Sequence, residues 1–358
     1  MVILDFRGMF AADSKAITAS AVGTPRTKPG DSWKAIIEPI EPFLQSVGDR
    51  LTKQVTSFEP DLVPYAEYAL NGNGKHLRPA LVALTANAVG KVGDSHVTVA
   101  VIIEMVHLAT LVHDDVMDEA EIRRGRLTLA ANWGNEIAVL FGDCLFAQAL
   151  KLAASFPTPE ICRAVAMATN TVCSGEILQT QHRRDFEFTR EKYFKVLEMK
   201  TAELFALSCE LGGCLSGTTA EQRTALRQFG LAFGTAYQVH DDCVDLFGSE
   251  ASAGKSLGTD LAKGKLTLPI LLVWERADAK DRARLQELVQ GWQAASIEQI
   301  SELLFKYEAL NASIEIVHQY LEQSRRILRG LPASTGRTGL LGLTEFLAQQ
   351  TDALGDSA

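Results

Sequence analysis

Residues 96–120 read HVTVAVIIEMVHLATLVHDDVMDEA, and the change of character along them decides the fold. The first half is apolar except at Thr98, Glu104, His107 and Thr110, too long for a strand and continuous enough for a helix buried on most sides. The second half is acid. Asp114, Asp115 and Asp118 are spaced three and four apart, so a helix projects all three from one side. Carboxylates that close repel one another and destabilise the helix that carries them, so something cationic must compensate. The pattern returns at Asp241, Asp242 and Asp245, again at the foot of an apolar run, Leu231 to Val239.

Working outward, helical periodicity dominates from Trp33 onward. Ile36, Ile37, Ile40, Phe43, Leu44 and Val47 follow three- and four-residue steps. Tyr65 to Leu70 makes another helix, stopped by Asn71-Gly72-Asn73-Gly74. Pro79 opens a helix over Ala80 to Val89, as proline does at a first helical position. Further helices are expected at 97–118, 136–154, 158–181, 190–215, 220–247, 266–278, 281–291, 297–305 and 311–328. Strand-length alternation is absent apart from short ambiguous pieces, and there is no fixed repeat and no break in composition. The reading is all-α: a loosely ordered N-terminal extension over residues 1–31, small, polar and turn-rich, then one helical domain over 32–350.

Composition bounds the function. Apolar residues make up 47% and charged ones 22% of 358 residues, the balance of a globular protein with a substantial core. A net charge of −9 argues against general binding to nucleic acid or an anionic membrane. The six cysteines have no CxxC pair and no metal-ligand spacing, so buried free thiols and a cytoplasmic location are expected. The first residues lack the pattern of a secretory signal, and Val97 to Val112 reads as a core helix rather than a membrane span.

Two carboxylate clusters with only oxygen ligands suit a hard divalent cation, Mg²⁺ above all, held by a few carboxylates together with substrate phosphates. A single DDxxD is most simply a solvated helix end. Two, each preceded by a run that must be buried, are too costly to be accidental. Counter-charges stand nearby: Arg123 and Arg124 after the first cluster, Lys75 and Arg78 in GKHLRP, Lys200 beside Thr201, and Lys255, Lys263 and Lys265 in a glycine-rich stretch after the second. Any one of them alone is a surface charge. As a set they suit Mg²⁺ and two diphosphate groups, arginine as a bidentate donor and lysine as a point charge. There is no P-loop, no GxGxxG at a strand–helix junction and no GxSxG. Acid and base beside an apolar helix imply a substrate with a charged head and a long apolar tail. A di-iron bundle is the rival, since Glu104-x-x-His107 and Glu315-x-x-His318 match its ligand spacing, but it leaves six aspartates unexplained.

Over residues 60–345 the chain resembles the trans-polyprenyl diphosphate synthases, class I isoprenoid chain-elongating enzymes. The resemblance rests on GKHLRP (74–79), EMVHLATLVHDDVMDEAEIRRGR (104–126), GEILQ (175–179), KTAELF (200–205), AYQVHDDCVDLFG (236–248) and GKSLGTDLAKGKLTLP (254–269). It implies the isoprenoid synthase fold, antiparallel helices around a central cavity, and a homodimer. It further implies that Asp114, Asp115, Asp118, Asp241, Asp242 and Asp245 hold Mg²⁺ against an allylic diphosphate, which Arg123, Lys200, Thr201, Gln238, Lys255 and Lys265 bind. Lys75, Arg78, His107 and Arg124 would take isopentenyl diphosphate. The implied reaction is head-to-tail condensation. Terpene cyclases share the fold and the first cluster but typically carry a different second metal motif, and a non-catalytic partner subunit has no need of intact acid clusters.

Product length follows from tunnel depth. Ala109 and Thr110, one turn before Asp114, are small. An isoprene unit of about 5 Å matches a helical turn of about 5.4 Å, so each turn accommodates roughly one unit. The next layers are Met105 and Val106, then Val101 and Ile102, with Phe146 on a neighbouring helix as a floor. Products longer than C20, in the range C30 to C50, are expected, with a geranylgeranyl or farnesyl diphosphate synthase as the shorter alternative.

Overall fold

A computed structural model describes residues 29–70, 76–123, 125–248 and 258–355. Most of the expected extension therefore lies outside the described residues, as do Lys75, Arg124 and Lys255. The helices are α1 (Pro29–Ile37), α2 (Glu41–Val55), α3 (Val63–Leu70), α4 (Leu77–Val89), α5 (Asp94–Met117), α6 (Leu129–Trp133), α7 (Asn135–Ala153), α8 (Glu160–Gln181), α9 (Arg190–Leu197), α10 (Glu203–Cys214) and α11 (Ala220–Phe247). They continue with α12 (Thr259–Ala262), α13 (Leu268–Arg276), α14 (Ala279–Gln290), α15 (Ser296–Lys306), α16 (Ala309–Arg329) and α17 (Thr335–Gly355). Among the described residues the one sheet is a two-residue hairpin, Ile122–Arg123 (β1) against Arg126–Leu127 (β2). The chain is all-α, as its periodicity requires.

The helix read first is the hub. Neighbours α2, α4, α7 and α10 pack on α5, and Val99 through Ile103 are sealed from solvent. By length and composition α5 could cross a membrane. Its apolar surface is instead covered by other helices, each large side chain contributing roughly 1.5–3 kcal/mol on burial. α11 is the second long axis, packed on α10 and α16. It starts at a capping box, the Thr219 hydroxyl accepting from the Gln222 amide N–H and the Gln222 side chain accepting from the Thr219 amide. One contiguous core runs from Ile36 to Ala348.

Three expectations shift. The helix expected from Ala80 starts at Leu77, with His76 in the left-handed region (φ 46°) before it and Pro79 third. Proline fits there because first-turn N–H groups have no partner inside the helix. The single helix expected over 190–215 is interrupted by a π turn at Glu198–Ala202. The C-terminal α17 lies within the expected helical domain but beyond the last helix marked by periodicity, because Gly336, Gly339 and Gly342 dilute its helical signal. Leu340, Leu343 and Leu347 nevertheless bury its inner face, and it packs on α4, α1 and α16.

At the far end of α5 from the acids, His96 ties the hub to α10. Its Nδ1 accepts the Gly93 N–H at 3.0 Å, and Nε2 lies 3.0 Å from the Ser216 hydroxyl and 3.2 Å from the Gly212 carbonyl. Burial pushes its pKa below the ordinary imidazole value. The unfolded chain therefore takes up this proton first as pH falls. The stabilisation is complete above about pH 6.5 and is lost as pH drops from there through the folded value. Urea midpoints should fall between about pH 7 and pH 5, and less steeply in His96→Gln. Parallel slopes in the two proteins would remove His96 from the account.

Candidate active site

The two acid clusters are linked through intermediate residues. Lys265 Nζ lies 3.2 Å from Asp118 Oδ2 on α5 and 3.7 Å from Asp260 Oδ1 on α12. The Asp260 amide in turn donates to Asp245 Oδ2 of α11 at 3.1 Å. A second link runs through the π turn. Lys200 reaches to 3.9 Å from Asp114 Oδ2 and pairs with Glu176 of α8. Its neighbour Thr201 donates to Gln238 Oε1 at 3.0 Å, and Gln238 Nε2 donates to Asp242 Oδ1 at 2.8 Å.

Backbone irregularity and missing side chains make these approaches possible. A π turn inserts one residue into the helical ladder and so rotates the side chains beyond it; here it carries Lys200 and Thr201. At Gly175 of α8 a Cβ would sit 2.7 Å from the Lys200 amide nitrogen, and at Gly234 of α11 a Cβ would sit 2.8 Å from the Ala202 Cα. Any larger residue at either position would push the π turn off its neighbours. Gly234, Gln238 and Asp242 recur at four-residue steps, so the face of α11 that admits the turn also presents the acid.

The six aspartates divide by what holds them. Asp115 is buried and accepts from Arg123 Nε at 2.5 Å, an arginine presented by β1. Asp242, also buried, accepts from the Tyr193 hydroxyl at 2.6 Å as well as from Gln238. Asp245 is fully shielded and accepts from the Thr259 hydroxyl at 2.6 Å and from the Asp260 amide, which fastens α12 to the end of α11. Asp114, Asp118 and Asp241 remain partly exposed. Burial pushes the Asp114 and Asp115 carboxyls up from the usual carboxylate range, against the pull of Lys200 and Arg123 respectively. Burial pushes Asp242 well up, and Asp260 adds repulsion. Asp118 is held below the usual range because Lys265 and Lys263 overcome its burial. Lys265 is likewise desolvated, yet Asp260 and Asp118 keep it firmly protonated.

Other expected residues lie around this centre. The Arg78 guanidinium sits over the Phe205 ring, 4.9 Å from its centroid. His107, half-buried on α5, accepts the Thr110 hydroxyl through its carbonyl at 2.7 Å. Met105, Val106 and Ala109 are fully buried on α5. Phe146 packs on His113 at 5.7 Å between ring centroids, one turn nearer the acids than Ala109. The Glu-x-x-His pairs have other engagements, Glu104 facing His76 at 3.7 Å and His318 meeting Asp352 at 2.7 Å. Among the described residues no three His, Cys, Asp or Glu side chains converge as a metal cage. Sequence reasoning missed Arg183, Tyr193, Glu176, Gln179 and Thr259 as parts of the site. Glu176 and Gln179, which accepts from Lys200 at 3.0 Å, lie within GEILQ, whereas Arg183 and Tyr193 carried no local signal.

A helical bundle in which acids and bases interleave at one end of an apolar hub has the charge to hold a phosphorylated head group. The chain belongs to the polyprenyl synthetase family, whose sequence profile matches residues 59–307. It is 32% identical over 304 residues to octaprenyl diphosphate synthase of Haemophilus influenzae, covering 85% of this chain and 92% of that one. It is 34% identical over 306 residues to heptaprenyl diphosphate synthase component 2 of Bacillus subtilis, covering 84% and 86%. Among solved structures it is similar to a polyprenyl synthase from Caulobacter crescentus complexed with calcium and isoprenyl diphosphate. That match has a TM-score of 0.83 and 30% identity, over 88% of this chain and 97% of the other.

Tyr193→Phe leaves one oxygen of a buried carboxyl without its donor. Unfolding stability should drop by about 1–3 kcal/mol, measured by denaturant titration; no change would mean that Tyr193 does not hold Asp242.

Proposed function

We propose that the chain condenses isopentenyl diphosphate head-to-tail with an allylic diphosphate, making an all-trans polyprenyl diphosphate of C30 to C50. The observation that carries this reading is the chain of contacts from Asp118 of α5 through Lys265 and Asp260 of α12 to Asp245 of α11. It gathers both clusters around one position, beside a helix whose apolar body leads inward. Names of relatives in the family, octaprenyl and heptaprenyl diphosphate synthases, support a long product.

The donor set fits Mg²⁺. It is all oxygen, and without a cage of three protein ligands the ion would rely on substrate phosphates and water, as Mg²⁺ usually does. All six aspartates were expected to hold it. Asp115, Asp242 and Asp245 are buried, whereas Asp114, Asp118 and Asp241 stay partly exposed, so we assign the ligand role to Asp114, Asp118 and Asp241 and the positioning of the helix ends to the other three. When bound, Mg²⁺ neutralises charge growing on the departing diphosphate. Arg123, Lys200 and Lys265, with Lys255, grip that diphosphate and favour ionisation of the allylic C–O bond. Thr201 and Gln238 present oxygen dipoles to the resulting allylic cation. Arg78 and His107, with Lys75 and Arg124, hold isopentenyl diphosphate so that its double bond attacks the cation. The released diphosphate takes the proton lost afterwards. The apolar wall excludes water that would quench the cation.

Ala109, Thr110, Met105 and Val106 line the tail's path in this reading, with Phe146 flanking its upper part rather than forming its floor. We read residues 32–350 as one catalytic domain, supported by the single core, and the six free cysteines as suited to a reducing cytoplasm. We also propose a homodimer. Val139 and Leu140 on α7 and Met167 and Ile177 on α8 are exposed, Met167 by 65%, on helices that pack together.

Incubation with isopentenyl diphosphate, farnesyl diphosphate and Mg²⁺ should yield products beyond C20, whereas a C15 or C20 end point would mark a short-chain enzyme. Asp114→Ala and Asp241→Ala should each lose on the order of a hundredfold or more in turnover with helical content unchanged, and near-normal rates would reject the ligand assignment. Ala109→Phe should shorten the product, and an unchanged length would route the tail elsewhere. Sedimentation should give a dimer that Met167→Glu with Ile177→Glu converts to monomer; a monomeric parent would point to a different subunit as the partner.

A further inference from the structure

Three cations surround one carboxylate. Arg183 Nη2 donates to Asp118 Oδ1 at 3.2 Å, while Lys263 and Lys265 bring their Nζ atoms to 3.0 Å and 3.2 Å from Asp118 Oδ2. The Asp118 side chain is only 10% exposed. Lys265 shares a second acid, Asp260. Lys263 also lies near Asp115, and Lys265 near Asp114 and Glu176, so the protein's own carboxylates neutralise these cations and an incoming polyanion competes with them. Arg183 Nε is buried with no acceptor among the described residues. A guanidinium offers a planar fork suited to two oxygens of a phosphate, and Asp118 engages one prong.

The backbone segments that carry the cations are held by bonds that do not involve Asp118. The Arg184 amide donates to the Gly264 carbonyl at 2.7 Å, which ties the turn after α8 to the turn after α12. That bond sets Arg183 beside Lys263 and Lys265. On the other side, the Lys265 amide donates to the Asp260 carbonyl at 2.8 Å, and α12 is fastened to Asp245. The backbone that carries the three side chains would therefore keep its place if Asp118 swung away.

We propose that Arg183, Lys263 and Lys265 form a preorganised site for a diphosphate group, that Asp118 occupies it in the substrate-free chain, and that an incoming diphosphate displaces Asp118. The step is an exchange of anions in which no covalent bond changes. Its consequence for metal binding rests on the proposed function, in which the displaced Asp118 becomes available to the ion. Diphosphate binding and metal binding then favour each other, and equally in both directions.

The test uses the full chain with inorganic diphosphate and Mn²⁺ added separately, each monitored by calorimetry. Arg183→Gln and Lys263→Gln should weaken metal-free diphosphate binding by about tenfold, and Arg183→Lys should recover part of it. The same two glutamine variants should bind Mn²⁺ alone more tightly, because Asp118 is less restrained. Asp118→Asn should bind diphosphate more tightly without metal, having lost the competing charge. A misfolded variant would weaken both ligands, so the opposite signs separate this proposal from damage. Unchanged diphosphate affinity in both glutamine variants, or weaker diphosphate binding in Asp118→Asn, would overturn it. If Asp118→Asn tightens diphosphate and leaves Mn²⁺ binding intact, the cation site stands and the ligand role of Asp118 falls.

Discussion

Negative charge placed at the ends of buried helices is the constraint on which the rest of this structure depends. A desolvated carboxylate without a partner costs several kcal/mol, so each acid must be answered by a proton, a donor or a cation. All three answers occur. Burial drives Asp242 toward its protonated form, the Thr259 hydroxyl and the Asp260 amide satisfy Asp245, and arginine or lysine meets Asp115 and Asp118. The two-residue hairpin presents Arg123, and the short α12 between Gly258 and Lys263 hangs from Asp245.

The same constraint accounts for the division of labour among the aspartates. Asp242 and Asp245 are filled by uncharged protein donors, which fix where α11 ends. Asp115 and Asp118 of α5 are met by the charged ends of arginines and lysines. The cations that neutralise the site's own acids are also the ones that the proposed function assigns to a diphosphate. The π turn belongs to the same economy of space. It brings Lys200 between α8 and α11 at a crossing that tolerates only glycine at positions 175 and 234.

Much of this was legible in the chain itself. The apolar run ending in DDxxD, twice, implied helices, burial, a hard cation and a phosphorylated substrate, because each is a consequence of local spacing and the energetics of charge. The π turn was not legible, since KTAELF has the periodicity of an ordinary helix and the extra residue is accommodated only by what packs against it. Nor was α17, whose glycines are unfavourable for a helix until α4 presses against them. Arg183 and Tyr193 stayed hidden because their neighbours in sequence say nothing about Asp118 and Asp242, which lie 65 and 49 residues away.

By itself the sequence determined the helices, the two acid clusters and the kinds of charge that had to meet them, since spacing of three and four and the cost of buried charge are properties of the chain and of water. Only the tertiary structure decided which cation answers which acid, and which carboxylates are buried and which stay partly exposed. That choice depends on ångström-scale approach between helices distant in sequence, which is set by packing.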